Sequence, residues 1–238
     1  MTSAKGSSRT ESAGLRAATQ AGILDPSQDA GTRTLTHKAY EAIADLIRNK
    51  KLKGGDPIIE ARLADTLHLS RTPLREALLI LEGEGLVVRG PGRSIVVRNV
   101  DLKEYLQSLK VRELIEPEAA ALACGRITVA EIAAVHAEIA ALAAQTPYDI
   151  EAHWRSDRNL HELFIFRCGN DVLIRELRAL RTTTHLFEIA RLSNRLGPDS
   201  AEHIAILQAL EQGDAKLARK SVHAHIKSLY RFALKTLE

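Results

Sequence analysis

From Asp101 onward the sequence repeats apolar residues at helical spacing and contains no run that alternates as a strand does. This restricts more than half of the chain to packed helices. Helical segments are predicted over 101–124, 128–145, 150–168, 171–191, 199–211 and 214–236, with Gly125, Pro147, Gly169, Gly197, Pro198 and Gly213 near the joints. Thr128 and Glu131 have the spacing of a capping box, Asp214 is placed as an N-cap, and Pro117 predicts a kink inside the first segment. Aromatic residues make up only 4% of the chain, so Ala, Leu, Ile and Val must fill the core. Short loops between amphipathic helices predict an antiparallel bundle.

The preceding residues read differently. Residues 1–34 are rich in Ser, Thr, Gly and Ala, and are expected to form a flexible tail with a short helical patch around Leu15 to Gln20. Helical periodicity begins at Thr36, with Tyr40, Ile43, Ala44 and Ile47 on one face, and ends at Gly54, Gly55 and Pro57. A short helix is predicted over 60–67. Ser70 is the N-cap of a third helix, from Arg71 to about Glu82, with Leu74, Ala77, Leu78 and Leu81 inward. Two strand-like runs, 86–89 and 95–98, flank the turn Gly90-Pro91-Gly92-Arg93, and Ser94 follows it. The expected fold is mainly α: an N-terminal winged helix-turn-helix over 35–98, with a β-hairpin wing, then an all-α antiparallel bundle over 99–238.

Such a layout suits double-stranded DNA. The third helix fits the major groove, where base edges carry a unique donor and acceptor code. Arg71 and Arg75 stand one turn apart, and a guanidinium matches guanine or a phosphate bidentately. Ser70 and Thr72 offer hydroxyls for phosphate or base contacts. Residues 37–98 hold eleven Lys and Arg against eight Asp and Glu, whereas 99–238 hold eighteen against nineteen, so the basic excess lies in the first domain. A solvated helix face, or ion pairs with Glu76 or Asp65, is the bland alternative for the two arginines.

The run Leu63-Ala-Asp-Thr-Leu-His-Leu-Ser-Arg-Thr-Pro-Leu-Arg-Glu-Ala-Leu78, followed by Leu81-Glu-Gly-Glu-Gly-Leu-Val87, closely resembles the GntR regulators, FadR subfamily. The resemblance covers about 37–98. It implies DNA contacts from Arg71 and Arg75 with Ser70 and Thr72, and further contacts from Arg62 on the second helix and from Arg89 and Arg93 in the wing. Two positions depart from the family's pattern. His68 replaces a usual Gly at the helix joint, which requires a left-handed backbone from a non-Gly residue. Ser94 replaces a usual Gly in the wing, which puts the wing's geometry in question.

In the bundle, Asp157 and His161 fall at i and i+4 on one helix face, His203 opens the next-to-last helix and His225 lies midway along the last. Imidazole and carboxylate suit a divalent ion: zinc first, with nickel, manganese or iron as alternatives. A solvated helix pair is the alternative for Asp157 and His161. His153 and His223 could be mistaken for ligands, although His223 should point away from the face of His225.

The same region resembles the FCD domain of FadR-subfamily regulators, in the VanR-like branch, through Val111-Arg-Glu-Leu-Ile-Glu-Pro117, Asp157-Arg-Asn-Leu-His161, Cys168-Gly-Asn-Asp-Val-Leu173 and Glu202-His-Ile204. That resemblance implies a metal held by Asp157, His161, His203 and His225. It also implies a small organic acid as effector, with Arg112 as its anion anchor and Glu116 beside it. Arg158 and Asn194 are further effector candidates.

Together these readings predict a ligand-responsive transcription repressor that binds operator DNA as a homodimer. Two other functions stay open: a DNA-binding protein whose metal is purely structural, and a metal-dependent enzyme. Against the enzyme, the sequence has no HExxH motif, no phosphate-binding Gly loop and no nucleophile signature. Cys124 and Cys168 lack metal-site spacing and are expected to be reduced thiols. No apolar run approaches the ~20 residues of a membrane span, and the opening MTSAKGSSRT has no signal-peptide character. A cytoplasmic protein with no membrane partner is expected.

Overall fold

The computed structural model describes residues 26–187 and 192–235, and among these not the side chains of 26–33, Arg93, Leu192 and Ser193. Of the tail expected over 1–34, residues 1–25 with the helical patch lie outside the described residues, as does the Arg93 side chain, whereas 26–34 form the start of a helix rather than a tail.

The first helix, α1 (Pro26–Arg48), starts ten residues ahead of Thr36, where apolar periodicity begins. Its inner face is Ala39, Ile43, Ala44 and Ile47, all fully buried. They pack on Leu74, Ala77, Leu78 and Leu81 of α3 (Arg71–Gly83). Between them lies α2 (Glu60–Leu67), which ends on His68 at φ 51 and ψ 43, so the non-Gly joint does adopt the left-handed conformation. Asn, Asp and His tolerate that region better than β-branched residues do.

The wing contains three strands where two were expected. β1 (Pro57–Ile58), β2 (Val87–Arg89) and β3 (Ile95–Val97) form an antiparallel sheet in the order β1-β3-β2. Pro57 pairs with Val96 and Ile58 with Ile95, while Val88 faces Val96 from the other side. A two-residue strand has no alternation to detect, and Pro at an edge forfeits no ladder bond. Ser94 is accommodated at the tip: its hydroxyl donates to the Pro91 carbonyl at 2.8 Å, and Gly92 takes the left-handed turn at φ 66.

The bundle consists of α4 (Leu102–Ala123), α5 (Val129–Ala144), α6 (Ile150–Arg167), α7 (Asp171–Leu186), α8 (Leu196–Glu211) and α9 (Ala215–Lys235). Local chemistry sets the starts. Asp101 accepts from the Glu104 amide at 2.8 Å, Thr128 and Glu131 form the expected capping box, and Asn170 and Asp214 each cap with a side-chain oxygen. The first of these helices runs continuously through Pro117. It is the central strut, packed by α9, α7 and α6. One buried cluster joins Leu81 and Val97 through Val100 and Tyr105 to the bundle interior. Both cysteines are free thiols, and among the described residues no helix is long and apolar enough to cross a membrane.

The last turn of α7 is the main bridge between the two units. Lys50 donates from Nζ to the carbonyls of His185 at 2.6 Å and Leu186 at 2.9 Å, and His185 Nε2 donates to the Arg48 carbonyl at 3.1 Å. Arg98, just past β3, reaches Thr183 Oγ1 at 3.1 Å.

Candidate nucleic-acid interface and metal centre

Pro73 and Leu74 turn into the core, which leaves Ser70, Arg71, Thr72 and Arg75 exposed on the outer face of α3. Ser70 occupies the N-cap in an extended conformation, but its hydroxyl makes no capping bond. The hydroxyl therefore remains available to a partner at the positive end of the helix. Among the described residues no carboxylate pairs with Arg71. Arg75 donates from Nε to Glu60 Oε2 at 2.8 Å, so its ion partner is on α2 rather than at Glu76 or Asp65. Exposed pairs of this kind are worth little, and a phosphate or base edge can displace the carboxylate. Arg62 is exposed on α2. Arg89 is held by both oxygens of Glu82 at 3.0 Å.

In the bundle, Asp157 and His161 of α6, His203 of α8 and His225 of α9 converge, with their ligand atoms within 4.8 Å of one another. His161 Nε2 lies 3.3 Å from His225 Nε2 and 3.4 Å from Asp157 Oδ1, and His203 Nε2 lies 3.7 Å from Asp157 Oδ1. The three imidazoles are buried. Expected look-alikes stand aside. His153 bonds Tyr148 and Asp199, at 2.9 and 3.2 Å, and His223 faces Glu113 at 3.2 Å away from the cluster.

Carboxylates behind two of the rings fix their orientation. Burial pushes the Glu116 carboxyl up, but Arg112 and His161 overrule it and hold it well below the usual range. The same contest, with His225 and Arg195 prevailing over burial, lowers Glu202. Both therefore act as acceptors. His161 Nδ1 donates to Glu116, and His225 Nδ1 donates to Glu202 at 2.9 Å. With Nδ1 turned to a carboxylate, each ring presents its Nε2 to the other, and in the Nδ1–H tautomer those two atoms carry lone pairs that face each other. Burial, then the neighbouring His225, holds the His203 pKa well below the usual histidine value, and its Nε2 has no hydrogen-bond partner.

Facing lone pairs and an orphaned buried nitrogen are unfavourable unless a cation lies among them. Two atoms each ~2.1 Å from one ion stand about 3.0–3.4 Å apart, close to the separations found. The residues fit a divalent metal, with Glu116 and Glu202 as the partners that orient its histidines.

Beside this cluster is a cavity of about 60 Å³, lined among others by Asp157, Arg181, Thr184 and Trp154. Burial pushes the Asp157 carboxyl up, but Arg181 and His161 hold it well below the usual range, and Arg181 donates to its Oδ2 at 2.7 Å. None of Arg112, Glu116, Arg158 and Asn194 lines this cavity. Arg112 is spent on Glu116, at 2.6 and 3.2 Å, and on Thr184 at 3.2 Å; neither Arg112 nor Glu116 lines the cavity. Arg158 lines a groove between the two units, and Asn194 is exposed in the 3₁₀ turn Leu192–Arg195. Sequence reasoning missed Arg181 and Thr184, because α7 carries no local spacing that ties it to Asp157. Glu202 was legible only as the neighbour of His203.

Residues 35–97 match the family model for bacterial regulatory proteins of the gntR family, and residues 107–228 match that of the FCD domain. The chain belongs to the GntR family. It is a transcription regulator with a DNA-binding winged helix and an FCD ligand-binding domain, and not an enzyme. The Nta operon transcriptional regulator of Aminobacter aminovorans is 28% identical over 174 residues, 73% of this chain and 82% of its own. The Glc operon transcriptional activator of Escherichia coli (strain K12) is 24% identical over 223 residues, 83% of this chain and 88% of its own. Among solved structures, E. coli McbR/YncC shares the fold at a TM-score of 0.71 and 22% identity, covering 86% of this chain and 99% of that one.

Proposed function

We propose that this GntR regulator represses transcription as a cytoplasmic homodimer whose two α3 helices read an operator, and that a small organic acid, sensed beside a metal ion, controls it. Arg71 and Arg75 carry the base or phosphate contacts. Ser70 and Thr72 support them, and Arg62, Arg89 and Arg93 supply backbone contacts. Asp157, His161, His203 and His225 hold the metal, which we take to be zinc from the three-nitrogen, one-oxygen set. When bound, the ion supplies a Lewis-acidic position open to a carboxylate. Arg181 and Thr184 face the same cavity and orient that carboxylate by a guanidinium fork and a hydroxyl. The cavity has room for about four waters, which limits the bound part of the ligand to a group of carboxylate size.

One observation carries the sensing half: the Nε2 atoms of His161 and His225 face each other at 3.3 Å while both Nδ1 atoms are committed to carboxylates. The test is metal analysis of the purified protein, with mobility-shift titrations on its own upstream DNA across a panel of small acids. One ion per chain, and an acid whose effect on operator affinity disappears with His203→Ala, supports the reading. If that substitution lowers the melting temperature but leaves the acid response intact, the metal is only structural. Repression is checked separately by a promoter fusion, since the Glc operon relative bears the name of an activator.

A further inference from the structure

A second and larger cavity lies away from the metal. It is a groove of about 510 Å³ between the winged helix and the bundle, walled by α1 and α3 on one side and α6 and α7 on the other. Its volume is that of a small-molecule site. Five arginines line it, Arg48, Arg158, Arg175, Arg178 and Arg181, against the carboxylates of Glu84, Glu162 and Asp171. Four of the five have partners: Arg48 pairs with Glu41 and Asp45, Arg175 with Glu176, Arg178 with Glu84 at 3.7 Å, and Arg181 with Asp157.

Arg158 is the exception. It is half-buried, and among the described residues no carboxylate stands within ion-pair distance of it. Arg48 lines the same groove. A desolvated cation next to another cation is costly unless an anion joins them. Apart from Thr182 and His185, the rest of the wall is apolar or aromatic. Phe166 is 47% exposed with Arg178 over its ring at 5.8 Å, and Ile165, Ile174 and Tyr40 lie alongside.

We propose that this groove is a second ligand site, which takes an amphipathic organic anion with its carboxylate, sulfonate or phosphate on Arg158 and its apolar body against Phe166 and Ile174. The site is separate from the metal cavity, but the two share Arg181 and His185 as a common wall. An occupant would touch the reader and the sensor at once. It would also compete with Asp157 for Arg181, so its effect would reach the metal side without passing through the metal.

The test is calorimetric titration of the full-length, metal-loaded protein with 2-naphthoate, and with neutral 2-naphthylmethanol as control. The expected result is one saturable site per chain for the anion, with at least tenfold weaker binding of the alcohol. Arg158→Ala should weaken naphthoate tenfold or more, and Arg158→Lys should restore part of the loss. Ala179→Trp, which fills the groove, should abolish binding with circular dichroism unchanged. His203→Ala, which damages only the metal cluster, should leave the affinity within threefold. Equal binding of the alcohol, indifference to both Arg158→Ala and Ala179→Trp, or no saturable binding at all would overturn the proposal. So would loss of binding in His203→Ala with a preserved fold, which would assign the anion to the metal cavity instead.

Discussion

At the residue scale, the two arginines of α3 differ in a way their spacing does not show. Arg71 is unpaired among the described residues, whereas Arg75 is tied to Glu60 at 2.8 Å. Replacing Arg71 with Ala should cost operator binding about 1–3 kcal/mol if it reads a base, with no change in melting temperature. Glu60→Gln should cost less than about 1 kcal/mol of stability, because the pair is exposed. The same change should leave operator affinity equal or higher, since it frees Arg75 for DNA. Mobility shifts at one fixed salt concentration check both, and a Glu60→Gln protein with tenfold weaker binding would mean that the brace, not the free guanidinium, is what DNA requires. The arginines themselves were legible because they sit one helical turn apart behind a clear N-cap residue. Their partners were not, since Glu60 is fifteen positions from Arg75 and belongs to another helix.

At the element scale, caps and period fixed most helix ends, as Asp101, Thr128 and Asn170 illustrate. The role of the last turn of α7 was invisible. Beside local bonds of Thr183 and Thr184 to carbonyls one turn back, residues 181–186 reach distant elements: Arg181 to Asp157, Thr184 to Arg112, Thr183 to Arg98, and His185 and Leu186 to Arg48 and Lys50. No local pattern encodes contacts of that range. The turn also has a pH signature. Burial, then Lys50, pushes the His185 pKa down from 6.5 to about 4. The folded state thus binds the proton less well than the unfolded chain, and stability rises with pH through that window. Below about pH 6.5 the protein should lose stability progressively until about pH 4. The loss has an upper bound of ~3 kcal/mol, reduced by solvent screening of a half-buried ring. His185→Asn, which can still donate to the Arg48 carbonyl, should flatten that part of the profile in urea titrations at pH 7 and pH 5. An unchanged slope would assign the acid sensitivity to other groups.

At the scale of the whole molecule, a sensor can control a reader only if some element discriminates between two arrangements of the pair. The α7 turn is placed to do so. On one face, Arg181 holds Asp157, a proposed metal ligand, and lines the small cavity; on the other, two carbonyls take the Lys50 ammonium. In the proposed regulator, an acid that draws Arg181 away from Asp157 would act on the same end of α7 that holds the end of α1, and hence on the spacing of the two α3 helices in the proposed homodimer. Lys50→Ala removes the bond on the reader side without touching the metal cluster or α3. Operator affinity in the absence of acid should therefore stay within threefold, and metal content should be unchanged. The factor by which the acid alters operator affinity should fall toward one. Parallel mobility-shift titrations of wild type and Lys50→Ala, with and without the acid, measure that factor directly. A full acid response in the variant would mean that coupling runs through the Arg98 and Thr183 contact, or through the buried cluster around Val100 and Tyr105, rather than through the lysine clasp.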